Sequence, residues 1–313
     1  MLSYVVSRLS LIVPILLLMS ICSFALLPLV PGTAASAVLG ENASAAAVRQ
    51  VNKELGTDRP IVQQYGTWLS HALRGDLGRS IVNHASVSAS LKSRMPVSLE
   101  LALVALSLAI ALGVPLGVAA ATRAGTALDT VLTVTAVLGV ATPSFFLATV
   151  LVLLFSVHLH WLPVTGWVSL HTDPSQHLRH LALPVLALAL GPMAIIMRMV
   201  RASVREVLNQ DYIRTAVAKG LRRRVILTRH VLRNALLPAI TLIALQMGAF
   251  AGGAIVVETM FGLPGVGRFS LTSMTNHDFP AIQATILMVG AFVMLCNLTA
   301  DIAYGILNPR ITH

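Results

Sequence analysis

Hydrophobic residues in this chain gather into long runs instead of alternating with polar ones. Six runs are long enough to span a membrane: 9–30, 97–122, 128–157, 181–200, 236–258 and 281–307. About 20 apolar residues in a helix cross the hydrocarbon core. The third and sixth runs exceed that need, which predicts tilt or extension past the lipid. Pro14, Pro115, Pro143, Pro184 and Pro192 lie inside or at the ends of the runs. Membrane helices tolerate such prolines because neighbours re-satisfy the freed carbonyls. The pattern predicts an all-α polytopic protein in three parts: a first helix within 1–30, a loop region with short helices over 31–95, and a five-helix core over 96–313.

Two weaker patterns fall in the loop region. Residues 44–54 read as a short Ala-rich helix ended by Leu55-Gly56. In 58–73, Ile61, Tyr65, Trp68, Leu69 and Ala72 recur at helical spacing, which predicts an amphipathic helix packed on the other helices or on the membrane. The first run follows Arg8 and has the length of a span, longer than the apolar core of a signal peptide. A retained helix is expected, although Ala-Ala-Ser-Ala at 34–37 mimics a cleavage site.

Composition sharpens this picture. The 313 residues are 56% apolar and 11% charged, with a mean hydropathy of +0.81. A soluble domain would carry about 25% charged residues. The net charge of +10 does not indicate nucleic acid, because the cations punctuate the spans and no nucleic-acid motif accompanies them. Six spans put both termini on one side. Arg8, Arg123, the basic stretch 198–233 and Arg310 share that side, and the positive-inside rule makes it cytoplasmic. The seven cations of 31–95 count for little, because that loop is too long for the rule. Cys22 and Cys296 sit inside apolar runs and read as small buried hydrophobes.

Candidate chemistry is sparse. "GLPGVG" at 262–267 lacks the Gly-Lys-Ser/Thr ending of a phosphate loop and reads as a turn after the fifth span. His158, His160, His171, His177 and His180 cluster between the third and fourth spans. Only His177 and His180 have helical ligand spacing, so no metal site is assigned. Glu100, Asp129, Glu258 and Asp301 stand in or at the ends of spans, where ionisable groups are functional candidates. Glu258 is a candidate for an outer gate or docking element, or for a pair with Arg268. Asn297 and Asp301 share a helix face and are placed to bond between helices. The small residues Gly248, Ala249, Ala251, Gly252, Gly253 and Ala254 predict close helix packing.

The densest cationic stretch, "DYIRTAVAKGLRRRVILTRHVLRNALLP" at 211–238, lies within a loop spanning 201–235. Asp211 is placed to cap a helix beginning at Tyr212, and Gly220 is placed to end it. Ile213, Ala216 and Val217 are expected on one face, and a second helix is expected from Leu221 to Pro238. On physical grounds three readings stay open: a topogenic, lipid-binding loop, a solvated helical hairpin, or a docking element for another protein. The small residues Thr215, Ala216, Ala218 and Gly220 would permit close approach by a partner.

This stretch resembles the cytoplasmic "EAA–Gly" loop of permease subunits of binding-protein-dependent ABC importers. Arg214-Thr215-Ala216, Gly220 and Leu237-Pro238 occupy the motif positions. The departures from Glu-Ala-Ala and the longer Gly-to-Pro spacing are similar to the dipeptide, oligopeptide and nickel branch. "LGTDRP" at 55–60, "GDLGRS" at 75–80, "ETMFGLPGVGR" at 258–268 and "NPRI" at 308–311 also resemble that branch, whereas "VPGTAA" at 30–35 departs from its Pro-Gly-Asp-Pro. The resemblance implies a type I importer permease fold and transport of di- or oligopeptides by alternating access. It also implies a second related permease, two ATP-binding subunits, an extracytoplasmic binding protein and lipid as partners. Arg214, Thr215, Ala216, Lys219, Gly220 and Leu221 would contact an ATPase subunit. ATP and magnesium would belong to those partners, with no cofactor and no catalysis on this chain. Nickel, glutathione or haem are alternative cargoes. An ion-coupled secondary transporter is the rival class, disfavoured because the acidic residues stand at span boundaries. No nucleophile–base set supports an enzyme.

Overall fold

The computed structural model describes residues 2–26, 44–55 and 58–307, and all regular elements there are helical. "VPGTAA", "NPRI" and part of "LGTDRP" lie outside the described residues, as does the side chain of Asp301. In chain order the elements are α1 (Leu2–Leu26), α2 (Ala45–Leu55), α3 (Ile61–Ala72), α4 (Val87–Thr122), α5 (Ala127–Ala141) and α6 (Ser144–Leu151). A π-helical stretch, Val152–His158, continues α6. There follow α7 (Pro174–Leu208), α8 (Asp211–Ala218), α9 (Arg223–Val225), a second π-helical stretch (Ile226–Val231), α10 (Leu232–Ala235), α11 (Leu237–Met260), α12 (Val266–Thr275) and α13 (Phe279–Leu307).

Among the described residues three helices are long and apolar enough to cross a membrane: α4, α7 and the Phe279–Thr299 part of α13. Two bent pairs raise the number to as many as five, and α1 adds a shorter apolar stretch, Ile12–Ala25. The third apolar run is not the single helix expected from 128–157. It breaks between Ala141 and Ser144, and its two halves meet at 106°. Pro143 disfavours helical backbone at the residue before it, and Thr142 is accordingly extended, with φ −85° and ψ 120°.

The core is built on α4 and α7, which make the most extensive helix pairing. Gly113 and Gly117 permit it. A Cβ on Gly113 would lie 2.8 Å from the Met193 carbonyl, and one on Gly117 would lie 2.6 Å from that of Met197. Small residues let backbones approach where lipid provides no hydrophobic drive for association. α5 joins this pair, with Gly139 facing Ala194 and Ala120, Ala136, Ala194 and Met197 buried together. α11 packs on α13, and α1 packs on α13 as well. Of the small residues at 248–254, Gly253 faces Leu188, Gly248 faces Val293, and Gly252 meets open space.

The amphipathic helix expected over 58–73 is α3, and it packs on α1. Tyr65 and Trp68 lie 5.6 and 5.9 Å from the Phe24 ring, and the Tyr65 hydroxyl is 2.8 Å from Ser20 Oγ. Large apolar side chains on the outer faces of the spans, Leu138, Phe145, Phe146 and Leu295 among them, are exposed on the isolated chain.

Candidate functional site

At the basic end of the bundle, α7 ends at Leu208 and the chain turns into α8. The Gln210 carbonyl accepts from the N–H groups of Ile213 and Arg214. Gln210 therefore stands at the cap position, and Asp211 is the first helical residue. This corrects the expectation that Asp211 caps the helix. Its carboxylate instead meets Arg214 Nη1 at 3.2 Å, on the solvated surface. The other end terminates as expected. Gly220 has φ +74°, its N–H donates to Val217 O at 2.9 Å, and the Leu221 N–H donates to Ala216 O at 3.3 Å. This is a Schellman closure, whose left-handed residue favours glycine.

α8 has two faces. Ile213 and Ala216 are buried in the cluster that holds Val204, Ile226, Val231 and Ala235. Tyr212, Val217 and Leu221 are exposed, with 44%, 60% and 40% of their surface open. Arg214, Thr215, Lys219 and Gly220 are exposed as well. Five of the six residues proposed for coupling thus share an accessible surface, while Ala216 faces inward. Its small size serves packing within this chain, and Val217 belongs to the outer face rather than beside Ile213. The second helix expected after Leu221 is the continuous helical stretch Arg223–Ala235, made of α9, the π-helical stretch and α10, with Pro238 in the first turn of α11.

Two bonds fix this element to the α4–α5 connection. Arg201, about two turns before the end of α7, grips Asp129 of α5 through Nε at 2.6 Å and Nη2 at 2.9 Å. Asp129 also accepts from the Gly125 N–H at 3.0 Å and from Thr133 Oγ1 at 3.4 Å. Such a fork-to-carboxylate bond is both strong and orienting. Beyond α8, Arg223 Nη2 donates to the Thr122 carbonyl at 3.0 Å. The chain before α8 and the chain after it are therefore held by neighbouring points, 122 and 129. The sequence showed Asp129 as a boundary carboxylate and Arg201 as one of many cations, with no signal that they pair.

At the opposite end, Glu258 is completely buried. Its Oε1 accepts from Ser98 Oγ at 2.6 Å and its Oε2 from the Arg268 backbone N–H at 2.9 Å. The Gly267 N–H donates to it too, and Ser98 Oγ accepts from the Val266 N–H at 2.8 Å. Glu258 and Ser98 thereby satisfy the first N–H groups of α12, which have no partner inside the helix. The expected pairing of Glu258 with the Arg268 side chain is not formed, and only the Arg268 backbone N–H reaches the carboxylate. The guanidinium turns instead to the Gly262 carbonyl at 2.7 Å. Glu258 presents no surface to a docking partner. The "GLPGVG" turn has its reason here: a Cβ on Gly265 would lie 2.2 Å from Glu258 Cδ, and one on Gly267 would lie 2.7 Å from Ile255 Cα.

One group at this end, Asp278, was not picked out from the sequence. Buried Asp278 accepts from Ser80 Oγ at 2.5 Å and from the Ile81 N–H at 3.1 Å, joining the 76–86 loop to the start of α13. His177 is buried between Glu100, at 2.8 Å from its Nε2, and the Val168 carbonyl, at 2.7 Å from its Nδ1. It is held within its helix–loop packing, while His158, His160 and His171 are exposed. Among the described residues no group of three ligand-type side chains converges.

Comparison with known proteins agrees with this architecture. Residues 113–313 match the family model described as binding-protein-dependent transport system inner membrane component. Residues 1–102 match the model of the N-terminal part of such membrane components. A Brucella abortus protein provisionally named a peptide transport system permease is 38% identical over 313 residues, 100% of both chains. The dipeptide transport system permease protein of Alkalihalophilus pseudofirmus is 36% identical over 333 residues, again 100% of both. The glutathione transport system permease protein of Escherichia coli O6:H1 is 36% identical over 313 residues, also 100% of both.

Proposed function

On the premise that the chain belongs to the binding-protein-dependent transport system inner membrane components, we propose that it is a permease subunit of an ATP-driven importer of di- or oligopeptides. The observation that carries the coupling role is the outer face of α8. Apolar Tyr212, Val217 and Leu221 stand beside Arg214 and Lys219 on a short, firmly closed helix anchored by Ile213 and Ala216. An apolar patch rimmed by cations suits a groove on a partner, not water. The peptide cargo rests on full-length similarity to proteins named for peptide, dipeptide and glutathione transport.

In this reading both termini and α8 are cytoplasmic, and the 31–95 region faces outward. The working assembly holds a second related permease, two ATP-binding subunits and an extracytoplasmic binding protein. Nucleotide and magnesium are bound by the ATP-binding subunits, and this chain performs no covalent chemistry. Closure of those subunits displaces α8. The Arg201–Asp129 and Arg223–Thr122 bonds pass that displacement to the α4–α5 connection, and the bundle opens alternately to each side.

The test is gentle purification of the tagged chain from its native membrane, with mass spectrometry of its companions, together with two surface variants. Val217→Asp and Leu221→Asp change only exposed positions on α8 and just after it and are expected to release the ATP-binding subunits and abolish peptide uptake while the chain still inserts. A stable complex without an ATPase, or variants that transport like the parent, would refute the coupling role.

A further inference from the structure

The break in the third span leaves a cleft that the coupling role does not use. α5 and α6 diverge at Thr142–Pro143, and between them, α7 and α11 lies a cavity of about 250 Å³. That is a little below the usual size of small-ligand sites, about 300–1,000 Å³, and is room for several waters, each of which takes about 30 Å³ in the liquid. Thr142, Ser144 and Gln246 contribute side-chain polar groups to its wall, and no ionisable residue lines it. Gly191 also lines the cleft, and a Cβ there would meet nothing within 4 Å. The break in the α5–α6 pair, Gly191 on α7 and Gln246 on α11 all stand near the middle of their segments, so the cleft lies deep in the membrane.

Hydrogen-bonding capacity in the cleft is left unfilled. Among the described residues neither the Gln246 amide nor the Ser144 hydroxyl has a partner in this chain. Two prolines add to this. Pro143 and Pro192 have no N–H to return to the fourth residue before them, which frees the carbonyls of Gly139 and Leu188, and both of those residues line the cleft. Polar groups without partners cost several kcal/mol in hydrocarbon, and broken helical backbone persists at this depth only inside protein or beside water.

We propose that this cleft is a water-filled compartment of the translocation route that takes the main-chain amides of a passing peptide. Carbonyl acceptors and the Gln246 amide match the N–H and C=O groups that every peptide carries. A wall without charge neither attracts nor repels particular side chains, so passage is indifferent to side-chain charge. The cargo class rests on the function proposed above; the water-filled compartment does not.

The experiment uses the complete transporter in proteoliposomes, with Cys22→Ser and Cys296→Ala in this chain. Gln246→Cys and Ser144→Cys are exposed to a charged, membrane-impermeant methanethiosulfonate reagent, with the buried position Ala148→Cys as comparator. Labelling of both cleft positions well above the comparator, and slowed during peptide transport, is the expected result. Labelling at the comparator's rate overturns the compartment. In parallel, Gln246→Leu and Ser144→Ala are each expected to reduce uptake of neutral, acidic and basic dipeptides alike, by about three- to tenfold for one lost hydrogen bond. A reduction confined to one charge class overturns the indifferent wall. If the parent transporter moves no peptide, the proposed cargo fails, and the labelling still decides the compartment.

Discussion

Gly265→Ala tests whether the Glu258 carboxylate seats α12. The backbone at Gly265, φ −93° and ψ 179°, suits any residue, so strain does not enter. The added methyl would lie 2.2 Å from Glu258 Cδ and 2.3 and 2.4 Å from its oxygens, where carbon atoms prefer about 3.5–4.0 Å. The carboxylate must retreat by roughly 1 Å or more to reach that spacing. That is enough to break its bonds to Ser98 Oγ at 2.6 Å and the Arg268 N–H at 2.9 Å. A hydrogen bond contributes about 0.5–1.5 kcal/mol net, so losing these two costs about 1–3 kcal/mol. Glu258→Ala loses the same bonds but vacates the space the methyl needs. The two substitutions are therefore expected to be strongly non-additive, with the double variant no less stable than Glu258→Ala alone. Stability is read as the fraction of monodisperse detergent-purified protein that survives a heating series. Glu258→Gln keeps the shape with one acceptor and should fall between parent and Glu258→Ala. Additive losses in the double variant would refute the argument.

Two further outcomes are expected. Asp129→Asn removes the charge that Arg201 grips and should lower peptide uptake per ATP hydrolysed in the reconstituted complex, with part of it restored when Asp129→Arg is combined with Arg201→Asp; an unchanged ratio in Asp129→Asn would dismiss the strut. Gly117→Val places a side chain where even a Cβ would lie 2.6 Å from the Met197 carbonyl, so α4 and α7 must part. The cost is about 1–3 kcal/mol or more of overpacking, measured as a lower melting temperature, and a melting temperature equal to the parent's would show that this contact is loose.

The sequence by itself determined the class and most helix positions, because the bilayer demands long apolar segments whatever their neighbours. It also showed the end of α8 at Gly220, since a left-handed closure favours glycine locally, and the amphipathic α3. Tertiary structure decided what local pattern leaves open. Pro143 was visible, but a proline in a membrane helix can kink or break it, and packing on α7 accompanies the 106° turn. Which face of α8 turns inward depends on the residues it meets, so Ala216 became core and Val217 surface. Asp129 and Arg201 are 72 residues apart, and nothing in their flanks encodes the pairing. Glu258 is the clearest case. Its partners are a serine on α4 and backbone N–H groups, which every residue but proline carries, so only the fold could reveal why glycines stand at 265 and 267.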